Sequence, residues 1–371
     1  MSEFKIPPIS TLIGSDIRNF YHVIKFGGQI APSSYGKLLL TTLVILISTP
    51  FHLFEWLYFR DKIKSFVFRK EPIFILGHWR SGTTFLHNLL CADPGAGYVT
   101  TYHSVFPNNL ASKFIFKPFM KMNMPDKRPS DNVKLGIDLP QEDEFAMGNL
   151  THFSLYHSFY FPLLYRNYYT ASVDEVNNNL QTEWDETYRQ LIIKAMLNSK
   201  GRRAVIKNPV NTARVKSLLR IFPGAKFVFI YRNPVTVFLS TQKFFHELFP
   251  EISFSKVDKN FLDEMIFENF LRLMQDYDNQ KYLIPSKNLL EIRFEDLEKS
   301  PLAESRRIYR DLLEEDFEYP KAHVEKYLEG QLQYTKNAYK INRDVLDKIL
   351  STWGPYMKSW NYDVPDDVQI V

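Results

Sequence analysis

A single cysteine, Cys91, in 371 residues excludes an intrachain disulfide and any cysteine-based metal cluster. Cys91 directly follows an apolar helical pattern, which suits a buried small hydrophobe better than a nucleophile. A long hydrophobic run is also missing. The most apolar stretch is Leu38 to Phe59, and only Leu38 to Ile47 is uninterrupted, counting Thr41 and Thr42; Pro50, His52 and Glu55 follow. A bilayer span needs ~20 apolar residues, so a transmembrane helix is disfavoured. Two readings stay open: a core helix pair, or an interfacial segment with Trp56, Tyr58, Arg60, Lys62 and Lys64 at the headgroup level. Excess charge of one sign is lacking too. The 46 basic and 42 acidic residues leave a formal charge of +4, which argues against nucleic acid and suits a polyanionic small ligand. The first residues carry no secretory pattern, because Glu3, Pro7 and Pro8 precede any apolar segment. The sequence holds no internal repeat and no low-complexity tract.

What is abundant is aromatic: 31 Phe and 21 Tyr. Hydrophobic content of 45% and charged content of 24% are ordinary for a folded α/β chain of one large domain or two smaller ones. The most informative stretch runs from Pro72 to Leu90. Pro72 to Leu76 is a short run, apolar on both faces, and reads as a buried parallel strand. His78-Trp79-Arg80-Ser81-Gly82 forms a tight loop, and Thr83 is placed to cap a helix whose Leu86, Leu89 and Leu90 share one face. Strand, small-residue loop and helix N-terminus together make an anion site, to which Arg80 adds a permanent cation able to grip phosphate or sulfate with two hydrogen bonds. Gly77 and Gly82 have the spacing of a nucleotide-binding P-loop, but Thr83 stands where its lysine would be, which weakens an NTPase or kinase reading.

Arg80-Ser81-Gly82-Thr83-Thr84 after a strand resembles the 5′-phosphosulfate loop of sulfotransferases that use 3′-phosphoadenosine-5′-phosphosulfate (PAPS). A second motif follows in order. Lys226 to Tyr231 reads as a strand that runs into Arg232-Asn233-Pro234 and a helix through Ser240. An arginine at the strand end and a serine eight residues on resemble the family's 3′-phosphate site. The resemblance covers roughly residues 72–300 with gaps. It implies a three-layer α/β sandwich around a central parallel sheet, with a P-loop-like sulfotransferase fold. It also implies PAPS as co-substrate, no metal, and donor contacts from Arg80, Ser81, Gly82, Thr83, Thr84, Arg232 and Ser240. Phe85 stands where cytosolic members often carry an adenine-stacking tryptophan, and Phe294 where the family has the tyrosine of Tyr-Glu-Asp-Leu. The family's C-terminal Arg-Lys-Gly loop is absent, and Lys336, Asn337 and Lys340 are the nearest substitutes.

The expected organisation is an N-terminal apolar helical segment, residues 1–70, packed on the domain or on a membrane surface. A single sulfotransferase domain over 71–371 follows, with an acceptor-site insertion at about 100–200. The catalytic base is the open joint. Cytosolic members carry it in Lys-Thr-His, whereas this chain has Lys207-Asn208-Pro209. Lys207 fits a role near the transferring sulfuryl group. The base is then sought in Glu142-Asp143-Glu144, which the acid-rich start after Asp138 and Pro140 places on one helix. Glu142 and Glu144 lead; they project about 200° apart, so both cannot face the sulfur. His103 is the second choice. The competing reading of these acids is a solvated helix face. Eight aromatics in residues 151–170 read either as core or as the wall of an apolar acceptor site. These features favour a small hydrophobic hydroxylated acceptor, such as a lipid or sterol, over a sugar polymer, and a cytoplasmic location with membrane association open. The oligomeric state is not fixed. The competing classes are an ATP- or GTP-dependent phosphotransferase and a catalytically inactive membrane-associated binding protein.

Overall fold

The computed structural model describes residues 9–124, 136–178, 183–330 and 339–371. Five parallel strands form the central sheet: β1 (Ile73–Leu76), β2 (Ala96–Gly97), β3 (Arg203–Lys207), β4 (Lys226–Tyr231) and β5 (Leu289–Arg293), in the order β2-β3-β1-β4-β5. β1 lies at the centre, pairing Ile75 with Lys207 on one side and with Val228 on the other. It is buried on both faces, as its unbroken apolar run requires. Successive side chains therefore feed two different cores. Phe74, Leu76, Ile206, Phe227 and Phe229 enter the large one, and Ile73, Ile75, Val205, Val228 and Ile230 enter the other. With helices covering both faces, this is the three-layer α/β sandwich that the resemblance implies.

Several local expectations are corrected. Gly82, not Thr83, occupies the N-cap of the helix Thr83–Cys91, with φ of 96° and no side-chain cap. The strand expected over Gly97 to Thr101 shrinks to Ala96–Gly97, because the Thr100 hydroxyl accepts from His103 N and opens a short helix, Thr101–Val105. The acidic stretch does not form one helix from Asp138. Pro140 bridges to Thr100 in antiparallel fashion, and the helix starts only at Glu144 (Glu144–Leu150). The fourth predicted long strand ends at Arg293, and Phe294 begins the next helix. The amphipathic helix expected from Leu180 is Glu183–Ser199, with Leu180 itself outside the described residues.

The N-terminal apolar segment forms one helix, Tyr35–Lys64, rather than a pair. Pro50 sits inside it without ending it. Its solvent side is rich in exposed Leu, Ile and Phe, so it is no ordinary core helix. Leu12, Phe20, Val23 and Ile45 nevertheless join the main core. Near the C-terminus, β6 (Tyr339–Ile341) and β7 (Val368–Ile370) pair in parallel. The segment between them docks through Trp353, which is fully buried and stacks on Phe270 at 4.0 Å between ring centroids.

Candidate active site

The carboxyl ends of three adjacent parallel strands, β3, β1 and β4, share one edge of the sheet, and each ends in a residue singled out by the sequence. Ligands of open parallel sheets bind at such edges. β1 runs into the loop 77–82. Gly77 has φ of 140°, and a Cβ there would lie 2.3 Å from the Ile230 carbonyl oxygen; only glycine allows β4 to approach so closely. Its N–H donates to Thr212 Oγ1 at 2.7 Å. At the other end of the loop, a Cβ on Gly82 would lie 2.1 Å from the Phe294 ring. Arg80, between them, takes φ of 68°, a left-handed conformation that a non-glycine residue adopts at a cost of order 1 kcal/mol or more. Such strain persists where the surroundings impose it. The Ser81 hydroxyl turns inward and donates to the His78 carbonyl at 2.7 Å, closing the loop on itself.

The two predicted halves of the anion site meet. Arg80 Nε donates to Ser240 Oγ at 2.9 Å across 160 residues of chain. Arg232 Nη1 donates to the Arg80 carbonyl at 3.3 Å, and its guanidinium lies 4.3 Å from the centre of the Phe294 ring. The loop, the end of β4 and the helix Pro234–Ile252 are thereby fastened together through two guanidinium groups. Phe294 backs Arg232 from below and touches Gly82, so the aromatic ring at this position packs the loop. Thr83 is buried, while Thr84 and Phe85 are half-buried on the first turns of the helix. Lys340 lies exposed on β6; Lys336 and Asn337 fall outside the described residues.

Lys207 closes β3, and its side chain is 1% exposed. Its ammonium donates to Thr84 Oγ1 at 3.3 Å and forms an ion pair with Glu142. The second oxygen of Glu142 accepts from the Tyr156 hydroxyl, which in turn accepts from Trp79 Nε1 at 3.0 Å. Glu142 is thus tied to the loop by two routes, through Lys207 to Thr84 and through Tyr156 to Trp79. Its carboxylate keeps 14% exposure where its neighbours have almost none. Burial and the adjacent Glu142 charge drive the Tyr156 phenol far above its ordinary range, so it stays a donor.

The other acids behave differently. Glu144 is wholly buried and forms a two-toothed ion pair with Arg214, at 2.7 and 3.1 Å. Asn208 Nδ2, Ser154 Oγ and Leu155 N also donate to it, at 2.7, 2.9 and 2.9 Å. Burial alone would raise its pKa, but the Arg214 charge and these donors outweigh burial and hold it below the ordinary value. A carboxylate so saturated anchors structure, and this is where the structure parts from the pairing of Glu142 and Glu144 as equals. Asp143 lies buried against Tyr188 without a well-formed hydrogen bond, and burial pushes its pKa up to about 7. The solvated-face reading fails for both. His103 is fully buried with neither ring nitrogen bonded; burial and the nearby Lys194 charge lower its pKa to about 3. Lys194 pairs with Glu55 of the N-terminal helix, so His103 faces that side of the molecule.

Sequence reasoning missed Tyr156 as a polar partner and Arg214 altogether. Tyr156 counted among the aromatics of residues 151–170, most of which, including Phe159, Tyr160, Phe161 and Tyr169, are core. The signal available was the shift from Lys-Thr-His to Lys207-Asn208-Pro209, since Asn208 is the residue that ties β3 to Glu144. No group of three or more His, Cys, Asp or Glu able to hold a metal occurs among the described residues.

Comparison with known proteins places this geometry. Residues 72–318 match the model of the sulfotransferase family. The chain is 28% identical over 334 residues to the ω-hydroxy-β-dihydromenaquinone-9 sulfotransferases Stf3 of Mycobacterium bovis and of Mycobacterium tuberculosis, covering 89% of this chain and 85% of each relative. Its fold is similar to that of the sulfotransferase STF9 from Mycobacterium avium, with a TM-score of 0.66 at 16% identity, over 95% of this chain and 98% of that one. It is also similar to STF1 from Mycobacterium tuberculosis, with a TM-score of 0.59 at 17% identity, over 85% and 88% of the two chains. The strand–loop–helix around Arg80 lies inside the matched region, together with Lys207, Arg232 and Ser240, and the chain belongs to the sulfotransferase family.

Proposed function

We propose that the protein transfers a sulfuryl group from PAPS to the hydroxyl of an apolar lipid acceptor, with Glu142 as the general base. The observation that carries this reading is the meeting, on one sheet edge, of the loop and its two cations with a lysine-held carboxylate. When bound, PAPS supplies the sulfuryl group, whose bond to the bridging phosphosulfate oxygen breaks as the acceptor oxygen bonds to sulfur.

The chain's own residues meet the demands of such a donor. Arg80 already contacts Ser240 through its side chain and Arg232 through its carbonyl, and the three supply two guanidinium groups and a hydroxyl for a doubly phosphorylated nucleotide. A ligand anion replaces the neutral Ser240 oxygen as partner of Arg80 with a stronger, charge-assisted bond. The backbone N–H groups opening the helix Thr83–Cys91 add donors and the positive end of a helix dipole. Lys207, fixed beside Thr84, is the cation we assign to the negative charge that grows on the departing phosphate oxygen. The Glu142 carboxylate, held by Lys207 and Tyr156 and still 14% exposed at the sheet edge, is the group to which an acceptor hydroxyl donates. As the acceptor oxygen bonds to sulfur, its proton passes to Glu142. The Lys207 ammonium aims this carboxylate. It becomes an electrostatic partner of the departing oxygen as Glu142 is neutralised.

Support for a lipid acceptor comes from the Stf3 relatives, named for a hydroxylated menaquinone, and from the apolar N-terminal helix. Titration calorimetry with 3′,5′-adenosine bisphosphate and with ATP, on the wild type and Arg232→Ala, tests the donor. Tighter binding of ATP, or no loss in Arg232→Ala, refutes it. A sulfate-transfer screen over hydroxylated menaquinone, sterol and sugar acceptors tests the acceptor class; turnover confined to sugars overturns the lipid assignment.

A further inference from the structure

The helix Tyr35–Lys64 has its polarity turned inside out. A helix laid on a soluble core buries its apolar stripe and shows polar side chains to water. Here the residues buried against the domain include Thr41, Ser48 and Glu55, while Leu39, Leu43, Ile47 and Leu53 are 47–65% exposed. Thr41 accepts from Ser10 N at 3.1 Å, and Glu55 accepts from Ala111 N at 2.7 Å and pairs with Lys194 at 2.6 Å. The polar side of this helix is spent on the domain, and the side facing away is hydrocarbon. Exposed apolar surface on this scale is not left to water in a soluble monomer.

A second helix repeats the pattern. Lys113–Asn123 packs beside the first through Phe116 on Phe51, at 5.4 Å between ring centroids. It exposes Phe114, Ile115 and Met122, 71%, 41% and 80% accessible. Its charged residues are all basic, Lys113, Lys117 and Lys121, with Lys117 paired to Asp138, and the C-terminal turns of the longer helix add Arg60, Lys62 and Lys64 against one acid, Asp61. Trp56 and Tyr58 are exposed next to them, with Arg60 lying over the Trp56 ring and Lys62 over the Tyr58 ring. Exposed hydrocarbon bordered by aromatic rings and basic groups matches a lipid surface with anionic headgroups.

We infer that these two helices dock the protein on the face of an anionic membrane, with the Tyr35–Lys64 helix lying in the plane of the interface. At ~1.5 Å per residue its 30 residues exceed the ~30 Å hydrocarbon thickness, so length alone permits spanning. The side-chain ties argue for lying flat. Lys37 donates to the Glu251 carbonyl, and Thr41 and Glu55 bind the domain further along. A spanning helix would strip these partners and carry Glu55 into hydrocarbon. Docking stands apart from the donor chemistry, because it is read without turnover.

The test uses vesicles of mixed phosphatidylglycerol and phosphatidylcholine, against phosphatidylcholine alone. Four of the five tryptophans are buried or half-buried, and Trp56, 58% exposed, is the one at this face. Wild-type protein is expected to float with the anionic vesicles and to show a blue shift in tryptophan emission that Trp56→Phe abolishes. Leu39→Glu with Leu43→Glu, Ile47→Glu and Leu53→Glu alters only exposed positions and should lower vesicle partitioning at least tenfold with the circular dichroism and melting temperature retained. Lys113→Glu with Lys117→Glu and Lys121→Glu serves as a second variant should the first fail to fold; it is expected to lose the preference for anionic lipid. Wild-type protein that stays in solution with every vesicle overturns the proposal. So does a dimer that the leucine substitutions convert to monomer without any vesicle binding, since a second copy then covers the face.

Discussion

Replacing Glu142 by Gln keeps the shape of the side chain and one acceptor oxygen while removing its charge and its ability to take a proton. In the structure this carboxylate holds the Lys207 ammonium on one oxygen and the Tyr156 hydroxyl on the other, at 14% exposure. General-base assistance is worth about 10²- to 10⁴-fold, so kcat for sulfate transfer should fall by that factor, ~3–5 kcal/mol in the barrier. The proposed donor contacts lie elsewhere, on Arg80, Arg232 and Ser240. The dissociation constant for 3′,5′-adenosine bisphosphate should therefore stay within about threefold, and loss of a negative charge beside Lys207 can only tighten it. Glu144→Gln gives the opposite pattern. Glu144 and Arg214 are both wholly buried, so neutralising Glu144 leaves a charge without its partner, at about 3–5 kcal/mol of stability. Its signature is a melting temperature several degrees lower, with kcat per folded molecule close to wild type. The measurements are single-turnover transfer from radiolabelled PAPS, calorimetric nucleotide binding and thermal melts on both variants. If Glu142→Gln retains more than about a tenth of wild-type kcat, the base lies elsewhere. A stable but inactive Glu144→Gln would show that the two acids have been assigned the wrong way round.

Three further outcomes are expected. Ser240→Ala removes the hydroxyl that Arg80 bonds and that we assign to a ligand phosphate, and should weaken 3′,5′-adenosine bisphosphate binding by about 10-fold, with no change for adenosine; equal effects on both would place Ser240 outside the phosphate site. Gly82→Ala meets the Phe294 ring at 2.1 Å with φ at 96°, so it should lower the melting temperature and nucleotide affinity together, whereas Gly354→Ala, with nothing within 4 Å, should do neither. Burial, opposed in part by a backbone hydrogen bond, lowers His78 and His157 to about 4; burial and a neighbouring lysine lower His87 and His103 to about 3. These imidazoles stay neutral in the fold yet charge when unfolded below about 6.5, so stability is lost as pH falls from 6.5 toward 4. Asp143, raised to about 7 by burial, opposes this as a single group, because its proton is held in the fold and its contribution declines as pH rises from about 4 to 7. Melts should accordingly drop steeply from pH 6.5 to 5; a flat profile would show that the four rings are hydrated.

The parts of the fold legible in the sequence were those with local physics behind them. Lys226 to Tyr231 and Ile73 to Leu76 are apolar on both faces and end at turn residues, so buried parallel strands follow. Their edges carry Arg80, Lys207 and Arg232 because a parallel sheet collects such residues at its carboxyl end. The acids at 142 to 144 were less legible, because nothing local tells a solvated carboxylate from one met by a distant cation. Arg214, 70 residues from Glu144, decides that pair, and Lys207, 65 residues from Glu142, decides the other. The helix start was misplaced for a similar reason. Pro140 and three acids favour a first turn, but the pairing of Pro140 with Thr100 takes the chain into an extended path first. The acids then fall on either side of the helix start, so that Glu142, before it, meets Lys207 while Glu144 opens the helix into the core.

The Tyr35–Lys64 helix shows the converse case, in which the residues were legible and their direction was not. Its apolar richness was plain, and Pro50 lies inside it, where a proline forfeits one backbone hydrogen bond. The helix continues through it, and the buried Ser48 hydroxyl just before the proline donates to the Ile45 carbonyl. Which side faces the protein depends on Ser10, Ala111 and Lys194, partners far along the chain that take up the Thr41 and Glu55 side chains. Once those polar groups turn inward, 3.6-residue geometry forces the leucines outward. An enzyme whose acceptor is a lipid has use for such an arrangement, since the surface that meets the membrane is rigidly joined to the domain carrying the anion loop. In such an enzyme Leu39→Glu with Leu43→Glu, Ile47→Glu and Leu53→Glu should leave sulfate transfer to a detergent-dispersed acceptor within about twofold of wild type. Transfer to the same acceptor held in anionic vesicles should fall by the factor lost in vesicle partitioning, at least tenfold. Equal losses with both presentations would mean that the helix acts on the active site rather than on the membrane.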